Sequence, residues 1–299
     1  MKKPVFWGCC TALATPFLPS GDIDFGALGV MIDRQIESGV SALAFCATTG
    51  EGATLSEFEF ERVISFAVER ADGRITLLAG AGKNCTRTTL RLSLLAQSAG
   101  ADALLLCNPY YNKSTQSGIT RHFEYIADRV QLPILLYNVP SRTGMAIEPE
   151  TCAALAAHPR IVGIKEAGGD ISRTARMMAL CPEDFWVYSG NDEQTLAILA
   201  LGGAGVISTA ANIAPREMVR LCELWRDGDI LGARRAQLEL LPLIDALFRE
   251  TNPIPLKYAL SRLGLCSGAV RLPLTEPSES AKAKVDKALL KFAPACEKE

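Results

Sequence analysis

The chain has 299 residues, of which 48% are hydrophobic, and its formal net charge at pH 7 is -2. A chain of this length and apolar content can bury a large core, either as one α/β barrel or as two ordinary domains. Lys and Arg never occur in a block longer than a pair. The sequence therefore lacks the basic patch that binds nucleic acid or an anionic membrane surface, which favours a small-molecule ligand.

The ten cysteines are scattered through apolar segments, and no two form a CxxC pair. They are interpreted as buried thiols of a reducing compartment, which predicts a cytoplasmic protein. The adjacent Cys9 and Cys10 and the distant His122 and His158 offer no ligand set, so no metal site is predicted. The N-terminal MKKPVFWGCC meets a proline and a glycine before any long apolar run, which favours neither a signal peptide nor a membrane span.

Eight short apolar segments recur along the chain, and each predicts a β-strand. In chain order they are GCCTALATPF, ALAFCATT, ITLLAGAG, ALLLCNPYY, ILLYNVPS, IVGIKEA, FWVYSGND and GVISTAAN. Each is a near-continuous apolar run instead of an alternation of apolar and polar residues. This pattern is typical of parallel strands that are covered on both faces.

Segments of helical length separate the predicted strands. Apolar residues recur every three or four positions, as between Phe25 and Ile36, and Ser56 followed by Glu59 is a capping-box signature for the helix after the second strand. Eight βα units in roughly 225 residues predict a (β/α)8 TIM barrel. A doubly wound sheet is disfavoured because no GxGxxG follows the first strand.

Only helices are predicted after the eighth βα unit. They run from Asp229 to Phe248, from Pro255 to Leu263 and from Ser280 to Phe292. No Gly/Ser tract separates this part as an independent domain. We therefore predict a barrel that carries the active site over residues 1–227, and a C-terminal helical region packed on it over residues 228–299.

In such a barrel, functional residues gather at the C-terminal ends of the strands. These ends carry mostly hydroxyl and amide groups, with one lysine: Thr15, Thr48, Thr49, Glu51, Tyr110, Tyr111, Tyr137, Asn138, Lys165, Glu166, Ser189, Asn191 and Ser208. The set argues for covalent chemistry at Lys165, because an amine in an apolar pocket is partly neutral and attacks a ketone to give a Schiff base. Hydroxyl groups such as those of Tyr137 and Thr48 would carry the proton transfers.

Simpler interpretations of the same residues stay open at this point. Lys165 is equally suited to an ion pair with Glu166, and Tyr137 to an aromatic lid on the core. The segment from Thr48 to Gly50 is compatible with a plain turn. Arg142 is compatible with a solvated loop charge.

Taken in order, these motifs resemble the dihydrodipicolinate synthase and N-acetylneuraminate lyase superfamily of class I pyruvate aldolases. The resemblance covers essentially the whole chain and includes TTGEGATL, NPYYNK, YNVPSRTG, GIKEAGG, SGNDEQTL, GGAGVIS, TNPIPLKYAL and RLPLT. YNVPSRTG resembles the synthase branch, in which its arginine, here Arg142, holds the carboxylate of aspartate semialdehyde. The implied reaction condenses pyruvate with that aldehyde on the way to diaminopimelate and lysine.

The resemblance implies four catalytic residues. Lys165 would form the Schiff base with pyruvate, and Tyr137 would be the acid/base residue above it. Thr48 and Tyr111 would complete a hydroxyl relay, with Tyr111 entering the site of a neighbouring subunit. This implies a homo-oligomer built from tight dimers, with a tetramer expected.

The resemblance also implies the binding residues and the absence of a cofactor. Thr49 would bind the pyruvate carboxylate and Arg142 the semialdehyde carboxylate, while the backbone at Gly190 and Ile207 would line the pocket. No metal or organic cofactor is implied, since the Schiff base itself is the electron sink.

The chain departs from the resembling family in two places. Glu57, Phe60 and Thr88 stand where members inhibited by lysine commonly carry imidazole or other polar groups and a glutamate, which predicts weak or absent inhibition by lysine. Gly52 stands where many synthases have serine. The nearest rival function is another pyruvate aldolase acting on a sugar acid, and a rival of a different class is a non-catalytic binding barrel.

Overall fold

Eight parallel strands form a closed barrel in this computed structural model, which describes residues 1–292. The strands follow chain order, and the last pairs with the first through Cys10 and Ile207. They are β1 (Gly8–Ala12), β2 (Ala42–Phe45), β3 (Thr76–Gly80), β4 (Ala103–Cys107), β5 (Ile134–Asn138), β6 (Ile161–Glu166), β7 (Trp186–Ser189) and β8 (Gly205–Ser208). The predicted (β/α)8 barrel is confirmed, and each predicted apolar segment contains one strand.

Helices surround the barrel and continue beyond it. They are α1 (Phe25–Glu37), α2 (Glu57–Ala71), α3 (Thr86–Ser98), α4 (Gln116–Ala127), α5 (Pro140–Thr143), α6 (Pro149–Ala156), α7 (Ile171–Leu180), α8 (Thr195–Ala200), α9 (Pro215–Arg226), α10 (Ile230–Leu247), α11 (Ile254–Arg262) and α12 (Glu279–Leu289). The capping box predicted for α2 is present: Ser56 Oγ accepts from the Glu59 amide at 3.2 Å, and the Glu59 carboxylate accepts from the Ser56 amide at 2.9 Å.

The strands bury side chains on both of their faces, which explains their continuous apolar sequence. In β2, Ala42 and Ala44 belong to the cluster inside the barrel, whereas Leu43 and Phe45 pack in the larger cluster between the barrel and the helices. Small side chains on the inner face leave room for larger ones from other strands, such as Tyr188 of β7. Alternation along a strand therefore decides which side chains point into the barrel.

The C-terminal helices begin and end within one to three residues of their predicted limits. Helix α10 packs against α9, α11 and α12, and α11 also packs against α12. The predicted boundary at residue 227 stays a prediction, and residues 293–299 of the predicted helical region lie outside the described part of the chain. None of the helices within residues 1–292 is long and apolar enough to cross a membrane.

Candidate active site

Lys165 lies inside the barrel near the C-terminal end of β6, with only 4% of its surface exposed. Its register partners are Tyr137 on β5 and Tyr188 on β7, both of which belong to the inner cluster. The Lys165 Nζ lies 4.6 Å from the centre of the Tyr137 ring, within the range of a cation–π contact. The lysine is thus surrounded by aromatic groups instead of bulk water.

Glu166 does not neutralise this lysine, because the next residue of a strand points to the opposite face. The Asn138 Nδ2 donates to both of its carboxylate oxygens, at 3.0 and 2.8 Å. Burial raises the pKa of the Glu166 carboxyl despite these bonds. The ion pair between Lys165 and Glu166, the simpler interpretation of the sequence, does not form.

Two other buried acids lie close enough to Lys165 for its charge to favour their anionic forms. They are the thiol of Cys10 and the carboxyl of Asp192, and in both cases burial dominates and raises the pKa. The Asp192 Oδ2 accepts from the amides of Thr209 and Ala210 at 3.0 and 2.9 Å. Asp192 therefore fixes the chain that leaves β8. Sequence reasoning missed it because SGND is also a common turn composition.

A cavity of about 290 Å³ opens beside Tyr137 at this end of the barrel. It is close to the lower end of the size range of small-molecule sites. Thr48, Tyr137 and Arg142 are the predicted site residues that line it, while Lys165 and Thr49 are buried next to lining residues. Five of the eight predicted residues therefore lie in or against one cavity.

Asn252, at the loop before α11, connects two of the predicted binding residues. Its Nδ2 donates to Thr49 Oγ1 at 3.0 Å, and its carbonyl oxygen accepts from Arg142 Nη2 at 3.0 Å. The Thr49 hydroxyl also lies 3.4 Å from that of Thr209. Asn252 was not predicted, although it lies in the quoted segment TNPIPLKYAL, because nothing local indicates which way its side chain points.

Tyr111 lies apart from the cavity and is 91% exposed, whereas the preceding Tyr110 lines the cavity wall. The Tyr111 backbone is in the left-handed region, with φ of 69°. That conformation is uncommon for a bulky residue and carries strain. The loop thus holds an aromatic side chain in solvent on a strained backbone.

Gly190 and Ile207 lie at the ends of β7 and β8 and do not line the cavity. Ile207 is fully buried within the barrel. The Gly190 amide donates to the Glu166 carbonyl at 2.7 Å, and a Cβ on Gly190 would lie 2.6 Å from that of Ala167. Only glycine permits this close approach beside β6.

A buried ion pair that sequence reasoning missed supports the turn after β2. The Lys257 Nζ of α11 lies 2.5 Å from Glu51 Oε1, and both side chains are almost completely buried. The other Glu51 oxygen accepts from the Arg271 amide at 3.0 Å. The turn that carries Thr48 and Thr49 is therefore attached to the C-terminal helical region.

Gly52 follows this turn, at the position where many members of the resembling family have serine, and there is a steric reason for a glycine here. An ideal Cβ on Gly52 would lie 1.8 Å from the Cys46 carbonyl oxygen, so this loop conformation excludes any side chain there. Within residues 1–292, no group of three or more His, Cys, Asp and Glu side chains is placed to hold a metal ion.

Residues 5–292 match the profile of the Dihydrodipicolinate synthetase family. A 4-hydroxy-tetrahydrodipicolinate synthase from Exiguobacterium sp. is 48% identical over 288 residues, which cover 96% of this chain and 98% of the relative. The crystal structure of dihydrodipicolinate synthase from Thermotoga maritima superposes with a TM-score of 0.95 at 42% identity, covering 97% of this chain and 99% of that one. The chloride-inhibited dihydrodipicolinate synthase from Acinetobacter baumannii, complexed with pyruvate, gives a TM-score of 0.94 at 40% identity, covering 96% and 98%. The chain belongs to the Dihydrodipicolinate synthetase family.

Proposed function

We propose that this protein condenses pyruvate with L-aspartate 4-semialdehyde through a Schiff base on Lys165, giving 4-hydroxy-tetrahydrodipicolinate. The observation that carries the proposal is a buried lysine that forms no ion pair with any carboxylate of residues 1–292, placed against Tyr137 at the edge of a small cavity. The near-full-length relatives of this activity support it. The proposed reaction lies in lysine and diaminopimelate biosynthesis.

The chemistry follows from the amine of Lys165. Its lone pair attacks the pyruvate ketone, and loss of water from the carbinolamine gives an iminium ion that withdraws electrons from C3. Loss of a C3 proton gives the enamine, which forms a carbon–carbon bond with the aldehyde carbon, whose oxygen takes up a proton. The substrate's own amine then attacks the iminium carbon, closes the ring and releases Lys165.

In this proposal, Tyr137, Thr48 and Tyr111 transfer the protons. Tyr137 is adjacent to the Lys165 amine, and Thr48 lies on the same cavity wall. Tyr111 would act in a neighbouring subunit, an assignment supported by its exposure and its strained backbone. The active unit is then at least a tight homodimer, and we propose a tetramer of two such dimers.

The binding roles concern the two carboxylates. Thr49 is proposed to bind that of pyruvate, and Arg142 that of the semialdehyde, because a guanidinium suits a planar carboxylate. The backbone at Gly190 and Ile207 is proposed to contact pyruvate beside Lys165. No cofactor beyond the covalent pyruvate adduct is proposed. The cysteines within residues 1–292 are all free thiols, which supports the proposed cytoplasmic location.

Borohydride trapping tests the proposed function directly. The protein is incubated with pyruvate, reduced with borohydride and digested, and the peptide with the added mass is sequenced. We expect the adduct on Lys165 and not on Lys83 or Lys257, two lysines near this end of the barrel whose pKa values burial lowers. If the folded protein forms no adduct, the Schiff-base proposal is refuted and the rival interpretation, a non-catalytic binding barrel, is favoured.

Replacing Arg142 tests which aldehyde is used. We expect Arg142→Gln to raise KM for aspartate semialdehyde by about 10- to 100-fold, because a charge-assisted hydrogen bond to its carboxylate is lost. Arg142→Lys should restore only part of the affinity, since the bidentate geometry is missing. Trapping of pyruvate on Lys165 should not change and serves as the control. Equal turnover by both variants and the parent would favour the rival, an aldolase for a sugar acid.

We expect L-lysine at millimolar concentration to inhibit the initial rate weakly or not at all. The Glu57 carboxylate is engaged by Arg91 in an ion pair, and Phe60 is buried in the core, so neither offers a free acceptor for an ammonium group. Initial rates with increasing L-lysine at subsaturating pyruvate provide the measurement. An inhibition constant in the physiological range would contradict this expectation.

A further inference from the structure

The cavity beside Tyr137 holds a lysine that the proposed mechanism does not use. Lys83 follows β3 and, like Arg142, lines this cavity. Its Nζ donates to the Gly52 carbonyl oxygen at 2.5 Å. Gly52 lies in the loop after β2, where no Cβ fits against the Cys46 carbonyl, so this hydrogen bond joins the loop after β3 to the tightly folded loop after β2.

No anionic group within residues 1–292 pairs with Lys83. The acidic groups that act on Lys83 are the thiols of Cys46 and Cys107, whose pKa values burial raises to about 12 and about 11, so both are neutral at pH 7. The one carboxylate among the described lining residues, Glu51, is already paired with Lys257. Burial lowers the pKa of Lys83, because no anion of the described residues offsets the lost hydration of its ammonium.

A half-buried ammonium without an anion, such as that of Lys83, gains from a ligand that brings one. Lys83 and Arg142 are two cations that face one cavity of about 290 Å³. In the proposed reaction pyruvate binds first, on Lys165; the aldehyde that enters next carries one carboxylate, and the adduct of the two carries two. Two cations of the wall match this dicarboxylate better than Arg142 alone does.

We propose that Lys83 is a specificity-determining residue whose ammonium binds, together with Arg142, the carboxylates of the aldehyde substrate and of its adduct with pyruvate. The inference rests on the proposed function and deepens it, since it assigns a second cation to the same site. Lys83 does not exchange protons with the reacting atoms in this assignment. It sets the preference for an anionic aldehyde over a neutral one.

Three variants and two measurements test the assignment. Lys83→Met removes the charge at similar length, Lys83→Arg keeps it, and Lys284→Met removes an exposed lysine far along the chain as the matched control. Steady-state kinetics give KM for aspartate semialdehyde and for pyruvate separately. Calorimetric titration with glutarate, a flexible dicarboxylate, gives a binding readout that requires no turnover.

We expect Lys83→Met to raise KM for the semialdehyde and the Kd of glutarate by about tenfold or more, as the loss of a charge-assisted hydrogen bond requires. KM for pyruvate and the trapped adduct on Lys165 should not change. Lys83→Arg should stay within about threefold of the parent, and Lys284→Met should match it. Unchanged constants in Lys83→Met would overturn the proposal, as would a fall in kcat with unchanged KM. Failure of trapping in the parent would instead refute the proposed function, while the glutarate titration would still report on Lys83.

Discussion

Lys165→Met is expected to abolish the condensation while leaving the barrel folded. Without the amine no iminium forms, and we expect kcat/KM to fall by at least about a thousandfold. Methionine has a similar length and replaces a side chain that is 4% exposed among aromatic rings. Because burying an ammonium is costly, thermal stability should be unchanged or higher. Steady-state kinetics and thermal unfolding provide the two measurements.

The control for this experiment is Lys83→Met, which removes a half-buried amine on the wall of the adjoining cavity. It should keep the borohydride-trapped adduct on Lys165, whereas Lys165→Met should lose all trapping. Substantial turnover by Lys165→Met would show that the chemistry uses another group. A strongly destabilised Lys165→Met protein would show that the lysine is held for structure.

The barrel could be predicted because parallel strands buried on both faces leave a strong local signal. The segment IVGIKEA was predicted to be a strand, and its first six residues form β6. The capping box at Ser56 is equally local. The helices after residue 227 were also predicted from a local periodicity, and the observed helices there are 18 residues long or shorter. Such features depend on residues that are close together in the sequence, so they can be predicted from the sequence alone.

The candidate site was predictable where a residue's position on a strand decides its environment. Lys165 and Tyr137 sit at strand ends, so the barrel brings them together. Asn252 and Lys257 are different, because each acts on a residue far away in the chain. The partners of Asn252 and Lys257 lie 203 and 206 residues away. No periodicity or local motif encodes such pairings.

Lys257→Met is expected to destabilise the protein strongly, by about 3–5 kcal/mol, because it leaves the carboxylate of Glu51 buried without its counter-charge. The Lys257 ammonium also donates to the Ala269 carbonyl at 2.7 Å and lies 3.8 Å from the Phe17 ring centre. The Glu51 backbone, at φ of 50°, is strained and needs this support. The shift of the urea midpoint at constant slope gives the measurement.

The double variant Glu51→Gln with Lys257→Met separates the charge from the packing. If the unpaired carboxylate causes most of the loss, the double variant should be more stable than Lys257→Met alone. Lys284→Met, an exposed lysine, should shift stability by no more than about 0.5 kcal/mol. A strictly additive double variant would mean that the two side chains act independently. Glu51 belongs to the turn that carries Thr48 and Thr49. We therefore expect Lys257→Met to lose turnover even in conditions where it remains folded. That result would connect the C-terminal helices to the chemistry.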